Sequence, residues 1–142
     1  MTNPVEYIAR AVIEEDGKIL LCHGLGKPNW FFPGGHIEPG ESAPEALLRE
    51  LKEELGASGS VLRFLGASEN KFILKGSPVQ EINLVFEVAL DAGEYTESKE
   101  DHLEFGWFTR SEMEDLLVFP LTLRDAIISG PTIKPLWASE GF

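Results

Sequence analysis

Gly34-Gly35-His36-Ile37-Glu38-Pro39-Gly40-Glu41-Ser42-Ala43-Pro44-Glu45-Ala46-Leu47-Leu48-Arg49-Glu50-Leu51-Lys52-Glu53-Glu54-Leu55-Gly56 is a glycine-rich loop running into an amphipathic helix. Ser42 can cap that helix, Glu45 completes a capping box, and Pro44 is tolerated in the first turn. Leu47, Leu51 and Leu55, with Leu48 beside them, form a stripe that one face must bury. Gly56 is placed to end the helix in a left-handed cap. The acids are where folding alone would not put them. Glu50, Glu53 and Glu54 are three and four residues apart, so they are neighbours that repel. They also lie at the negative end of the helix dipole. Glu50 and Glu54 flank the leucine stripe, at the edge of the core, where unpaired charge is costly. A hard divalent cation held by carboxylate oxygens would reward such a cluster.

The flanking sequence predicts strands. Val5 to Ile13 is rich in β-formers. Glu15-Asp16-Gly17-Lys18 is a hairpin signal, and Ile19 to Cys22 returns as a second strand. His23 to Asn29 reads as a loop. Trp30-Phe31-Phe32 is expected to be a short strand stopped by Pro33-Gly34-Gly35. After the helix, Ser60–Leu65 and Lys71–Leu74 are expected as strands, with a turn at Gly76-Ser77-Pro78. Val79 to Leu90 is a long strand with Ile82, Leu84, Phe86 and Val88 on one side. Asp91 to Asp101, with Glu94, Glu97 and Glu100, is an acidic loop. Leu103 to Thr109 is a further strand. Ser111-Glu112-Met113-Glu114 is a second capping box, and Leu121 to Ser129 a third helix. The tail after Gly130 carries no clear pattern. A mixed sheet covered by helices, in the α/β class, is the economical arrangement.

The chain has 142 residues, enough for a single domain over 1–142. At 43% apolar and 25% charged it has the composition of an ordinary globular protein. No apolar run is long enough to span a bilayer, and no membrane partner is expected. Met1-Thr2-Asn3-Pro4-Val5-Glu6 does not open like a signal peptide. Cys22 is the only cysteine, so no internal disulfide forms, and a reducing cytoplasm is the expected location. The formal net charge of −12 argues against a nucleic-acid partner, which needs a basic face. It leaves room for small phosphorylated ligands, because bound cations invert the sign of an acidic site.

Gly35, five residues, Glu41, seven residues, then Arg49-Glu50-Leu51-Lys52-Glu53-Glu54-Leu55-Gly56-Ala57 resembles the signature of the Nudix (MutT-like) hydrolases, preceded by the typical Pro33-Gly34. The one departure is Ala57, where the family prefers a larger aliphatic residue. The resemblance implies an α/β/α sandwich, with a mixed β-sheet and flanking helices. It implies hydrolysis of a nucleoside diphosphate linked to another moiety, by water attack on phosphorus, with Mg2+ or Mn2+ as cofactor. It assigns metal binding to Glu53, Glu54 and the Gly34 carbonyl. Glu50 is either a further ligand or the group that assists the attacking water. Arg49 orients the carboxylates, Glu41 supports the loop, and Gly35 and Gly56 complete the motif. Family members often add a carboxylate from another loop. Glu104 is the first choice for it, with Glu100, Asp101 and Glu97 in reserve.

The residue types fit that chemistry independently. Metal neutralises phosphate charge and acidifies water, a carboxylate takes the proton, and the planar arginine fork suits paired carboxylate oxygens. Other candidates are weaker. Gly24-Leu25-Gly26-Lys27 departs from a phosphate loop because Pro28 stands where Ser or Thr belongs. Lys27 is left as a residue that could touch substrate phosphate. His23, His36 and His102 lack metal-ligand spacing and are expected on the surface or in loops. Trp30, Phe72 and Trp107 could stack on a base, though core packing is the commoner use. Nucleoside triphosphates, ADP-ribose, nucleotide sugars and dinucleoside polyphosphates all remain open as substrates, for a monomer or a homodimer. A non-catalytic Nudix domain, acting as nucleotide sensor or protein-interaction module, is the alternative.

Overall fold

The computed structural model describes residues 4–93, 97–130 and 134–142. Met1 to Asn3, Glu94 of the acidic loop and positions 131–133 of the tail lie outside the described residues. Two sheets form the centre. The larger contains β1 (Glu6–Val12), β4 (Gly34–His36), β5 (Gly59–Leu74), β6 (Ser77–Leu90) and β8 (Leu136–Glu140), in the order β4-β1-β6-β5-β8. β1 runs parallel to β6 and β8 parallel to β5, while the β1–β4 and β5–β6 pairs are antiparallel. The smaller sheet joins β2 (Glu14–Glu15), β3 (Lys18–Gly24) and β7 (Leu103–Phe108).

Alternation along β1 divides the core in two. Ala9, Ala11 and Ile13 face α1 (Ala43–Leu55) and pack with Leu47, Leu51, Leu55, Phe86 and Val88. Val12 and Val85 face the other way, toward Met113 of α2 (Arg110–Glu114) and Leu123 and Ile127 of α3 (Leu121–Ile128). Helices on both faces of a mixed sheet make the expected α/β/α sandwich. The leucine stripe is buried throughout: Leu47, Leu51 and Leu55 are all 3% exposed or less. The Ser42–Glu45 capping box forms, and Gly56 closes the helix with φ 67°.

Four local expectations are corrected. Trp30 and Phe31 make only isolated bridges, and the strand lies at Gly34–His36 instead. Pro33 does not stop it, because its carbonyl accepts from Ala11 N at 2.8 Å. Residues 59–74 are one strand with two register shifts, not two strands. Its polar middle continues the strand, with Ser68 and Asn70 buried against β6. The hairpin then turns at Lys75 and Gly76, both at positive φ, and Ser77 and Pro78 already belong to β6. The cap of α2 is Thr109, which exchanges bonds with Glu112, rather than Ser111. Both registers satisfy the capping-box spacing; starting at Thr109 puts Met113 in the core and Arg110 against Glu14. The tail yields β8, which the sequence did not suggest.

Candidate active site

The acidic turn sits where the C-terminal half of α1 crosses the edge strand β4. Backbone pairing dictates how β4 meets it. Ile37 N donates to Tyr7 O at 3.0 Å, and Pro33 O accepts from Ala11. In an antiparallel ladder the residues between turn their backbone groups the other way. Gly34 and His36 therefore face away from β1, and the His36 carbonyl accepts from Arg49 Nη2 at 3.2 Å. The backbone of Gly34 is presented on that same outer edge.

Two glycines set the spacing. A Cβ on Gly34 would lie 1.9 Å from the Ala9 carbonyl oxygen, so β4 could not pair as closely with β1. A Cβ on Gly35 would lie 2.5 Å from Cδ of Glu50. The Glu50 carboxyl is thus seated directly against bare backbone.

Arg49 organises the acids. Its Nε and Nη2 donate to the two oxygens of Glu41, at 2.7 and 2.9 Å, in the parallel fork geometry suited to a carboxylate. Nη1 donates to Glu50 Oε1 at 3.1 Å and to Glu53 Oε2 at 3.3 Å. The hydrogen bonds to Glu41, then those to Glu50, hold the Arg49 pKa above its ordinary value. Its bond to Arg49 and the Glu38 backbone N–H lower that of Glu41.

Glu54 is the strained member. Its Oε2 is buried with no hydrogen-bond partner. Burial first, then a hydrogen bond with Glu50 and that residue's charge, pushes the Glu54 pKa up to about 8; Arg10 opposes the shift and Glu100 adds to it. Glu53, by contrast, is 54% exposed. Among the described residues no three acids, histidines or cysteines converge in a metal-holding set. The cause is visible in the pairing: Glu53 is drawn to Arg49 while Glu54 turns to Glu50. Cys22, below on β3, has its thiol pushed up to about 12 by burial and the Glu54 charge, so it stays protonated.

The loop acids divide. Glu104 stands on β7 opposite His23, and its carboxylate meets His23 Nε2 at 3.2 Å. Glu100, one of the reserves, is the loop acid whose charge reaches Glu54. His23 itself is not a surface residue: it is 15% exposed and stacks on Trp30 with centroids 4.0 Å apart.

A cleft of about 510 Å3 opens on the other side of β1, lined by Arg10, Phe31, Asn70, Phe72, Glu81 and Phe119 among others. Arg10 links it to the acidic turn. Burial lowers the Arg10 pKa, while Glu81 of the cleft and Glu54 and Glu50 of the turn all raise it. Local pattern does not announce this cleft; its one trace in the chain is the set of polar positions Ser68, Asn70, Glu81 and Asn83.

A NUDIX domain model matches residues 4–128. The chain belongs to the NUDIX family. Over 71 residues, 47% of this chain and 52% of the relative, it is 41% identical to a CTP pyrophosphohydrolase of Escherichia coli strain K12. Over 59 residues, 42% and 34%, it is 39% identical to an RNA pyrophosphohydrolase of Escherichia coli O139:H28. The matches span only about a third to about half of those curated relatives' length. Among solved structures, the Escherichia coli ORF135 protein superposes with a TM-score of 0.62 at 28% identity, covering 88% of this chain and 89% of that one. This NUDIX domain also has no helix, among the described residues, long and apolar enough to cross a membrane.

Proposed function

We propose that the chain is a metal-dependent pyrophosphohydrolase acting on small nucleoside diphosphate derivatives. The observation that carries this is Glu54 Oε2: a buried carboxyl oxygen with no partner, beside the Glu50 carboxylate seated on Gly35. A protein-only account leaves that oxygen costly. A divalent cation satisfies it, so the residues fit Mg2+ or Mn2+. Glu50, Glu53, Glu54 and the Gly34 carbonyl would hold it, and Glu100, whose charge reaches Glu54, would be the acid to join from the connection before β7. Bound there, the cation supplies charge neutralisation for phosphate oxygens and a more acidic attacking water.

The chain's own groups do the rest. A turn carboxylate, Glu50 or Glu53, accepts the proton as water attacks phosphorus, and the P–O bond of the anhydride breaks. Arg49 keeps Glu50 and Glu53 aimed while Glu41 fixes Arg49. The cleft beyond Arg10 has the size and aromatic lining of a nucleoside site. The relatives named for CTP and RNA hydrolysis support the reaction class, and the acidic net charge favours free nucleotides over RNA ends.

A panel of nucleoside triphosphates, ADP-ribose, nucleotide sugars and dinucleoside polyphosphates, with Mg2+ and with chelator, tests this on the parent and Glu53→Gln. Metal-dependent turnover lost in the variant is the expected result. Binding without turnover would instead make the domain a sensor.

Arg49→Lys is expected to lower kcat/KM about 10- to 100-fold with unchanged circular dichroism, because an ammonium cannot span both Glu41 oxygens while reaching Glu50. The metal-free protein should also lose stability as pH rises. The folded Glu54 carboxyl holds its proton up to about pH 8, whereas an unfolded one releases it near its ordinary value. Between those limits the folded state binds more protons, so raising pH favours unfolding. Thermal melts in chelator from pH 5.5 to 8.5 should show a falling Tm, and Mg2+ should flatten the fall.

A further inference from the structure

The cleft beyond Arg10 is lined on its sheet side by a chain of hydrogen bonds with a single direction. Arg10 Nε donates to Asn83 Oδ1 at 3.1 Å. Asn83 Nδ2 donates to Asn70 Oδ1 at 3.1 Å. Asn70 Nδ2 donates to Glu81 Oε1 at 3.1 Å. Arginine can only donate and a carboxylate only accept, so both amides are oriented by the ends of the chain. Asn83 is fully buried, Asn70 6% exposed and Glu81 9% exposed. A buried polar ladder of this kind is costly unless every member is satisfied. It delivers one thing to the cleft: the Glu81 carboxylate as a fixed acceptor, with Oε2 uncommitted in the bonds above. The other acid lining the cleft, Glu140, stands outside this ladder: its Oε1 accepts from the backbone Thr122 N at 2.9 Å. The aromatic faces of Phe31, Phe72 and Phe119 line the same space.

We infer that Glu81 is a specificity-determining residue that reads the base of the substrate, and that the base it selects is guanine. The inference rests on the nucleotide-hydrolase reading and deepens it. A carboxylate presents two acceptors side by side. Guanine presents two adjacent donors, N1–H and the exocyclic N2–H, and so can meet both oxygens: one donates to the uncommitted Oε2 and the other to the second lone pair of Oε1, whose first is taken by Asn70. Adenine and cytosine offer an amino group beside a ring acceptor, which faces a carboxylate oxygen unfavourably. Uracil offers one N–H between two carbonyls, so its oxygens meet the carboxylate with like charge. Hypoxanthine keeps N1–H and lacks the amino group, which isolates the second contact. A well-formed bidentate pair discriminates between bases by roughly 5- to 150-fold.

The test compares KM and kcat for GTP, ITP, CTP, ATP and UTP on the parent and on Glu81→Gln. In the parent, KM should be lowest for GTP, with ITP and UTP at least about tenfold higher. In Glu81→Gln the GTP value should rise about tenfold toward the others, with the effect falling on KM rather than on kcat. Equal KM values across the five bases in the parent would overturn the assignment, and that comparison needs no variant. Unchanged base preference in a folded Glu81→Gln would overturn it as well. Dissociation constants for GDP and UDP, measured by calorimetry, separate the two readings. If no nucleotide is hydrolysed, the hydrolase reading fails, yet tighter GDP than UDP binding would still uphold Glu81 as the base reader.

Discussion

Glutamine in place of Glu54 is expected to cut turnover by at least about a hundredfold and to leave the metal-free protein no less stable than the parent. The two halves have one cause. In the absence of metal the carboxyl is a liability, because its Oε2 is buried and partnerless and Glu50 lies against it. Glutamine removes the titrating charge at nearly constant volume, and its amide can donate to Glu50. With metal and substrate present the same oxygen becomes an asset, since glutamine is a poorer ligand for a hard cation than carboxylate. Losses from removing a metal ligand or a proton-transfer group run to about 10²–10⁴ in rate. Steady-state kinetics with saturating Mg2+, beside melting curves in chelator at pH 8, read both halves. A variant that lost activity only because it melted early would point to a structural role for Glu54.

Gly34→Ala and Gly35→Ala should fail in different ways although the residues are adjacent. At Gly34 the new Cβ would strike the Ala9 carbonyl oxygen at 1.9 Å, and the backbone φ is 148°. The obstacle is main chain of a paired strand and cannot step aside. Overpacking and an unsuitable backbone conformation together should cost about 3 kcal/mol or more, a large part of a small domain's stability. At Gly35 the new Cβ meets the end of the Glu50 side chain, which can rotate away. That variant should fold and melt near the parent but lose most of its activity, because Glu50 leaves its seat. Chemical denaturation and kinetics on the two variants check the contrast. Equal destabilisation of both would show that the Gly35 approach is part of the fold rather than of the site.

Much of the site was legible because it is local. Glu41, Arg49, Glu50, Glu53, Glu54 and Gly56 lie within one loop and one helix, so spacing alone gathers them. The helix was legible for the same reason: its cap, leucine stripe and terminal glycine all agree. What escaped was long-range. Whether Glu100 or Glu104 approaches the turn depends on how the β6–β7 connection folds back, and the pairing of Glu104 with His23 spans 81 positions. The polar segment around Ser68 and Asn70 fell outside the two expected strands because its partners, Glu81 and Asn83, lie across a hairpin. Local pattern gives polarity but not whether polarity is buried. The β4 strand was displaced because a Pro-Gly-Gly run ordinarily ends a strand, and here close approach to β1 demands Gly34 while the Glu50 carboxyl demands Gly35.

On the proposed reading, the acidic turn holds a divalent cation through Glu54. Titrating chelator-stripped protein with Mn2+, and following the electron spin resonance signal of the free ion, reads that binding itself. The parent should take up Mn2+, more tightly with a non-hydrolysable nucleotide present, and Glu54→Gln should not. Uptake equal in both chains, or none in the parent with nucleotide present, would contradict it.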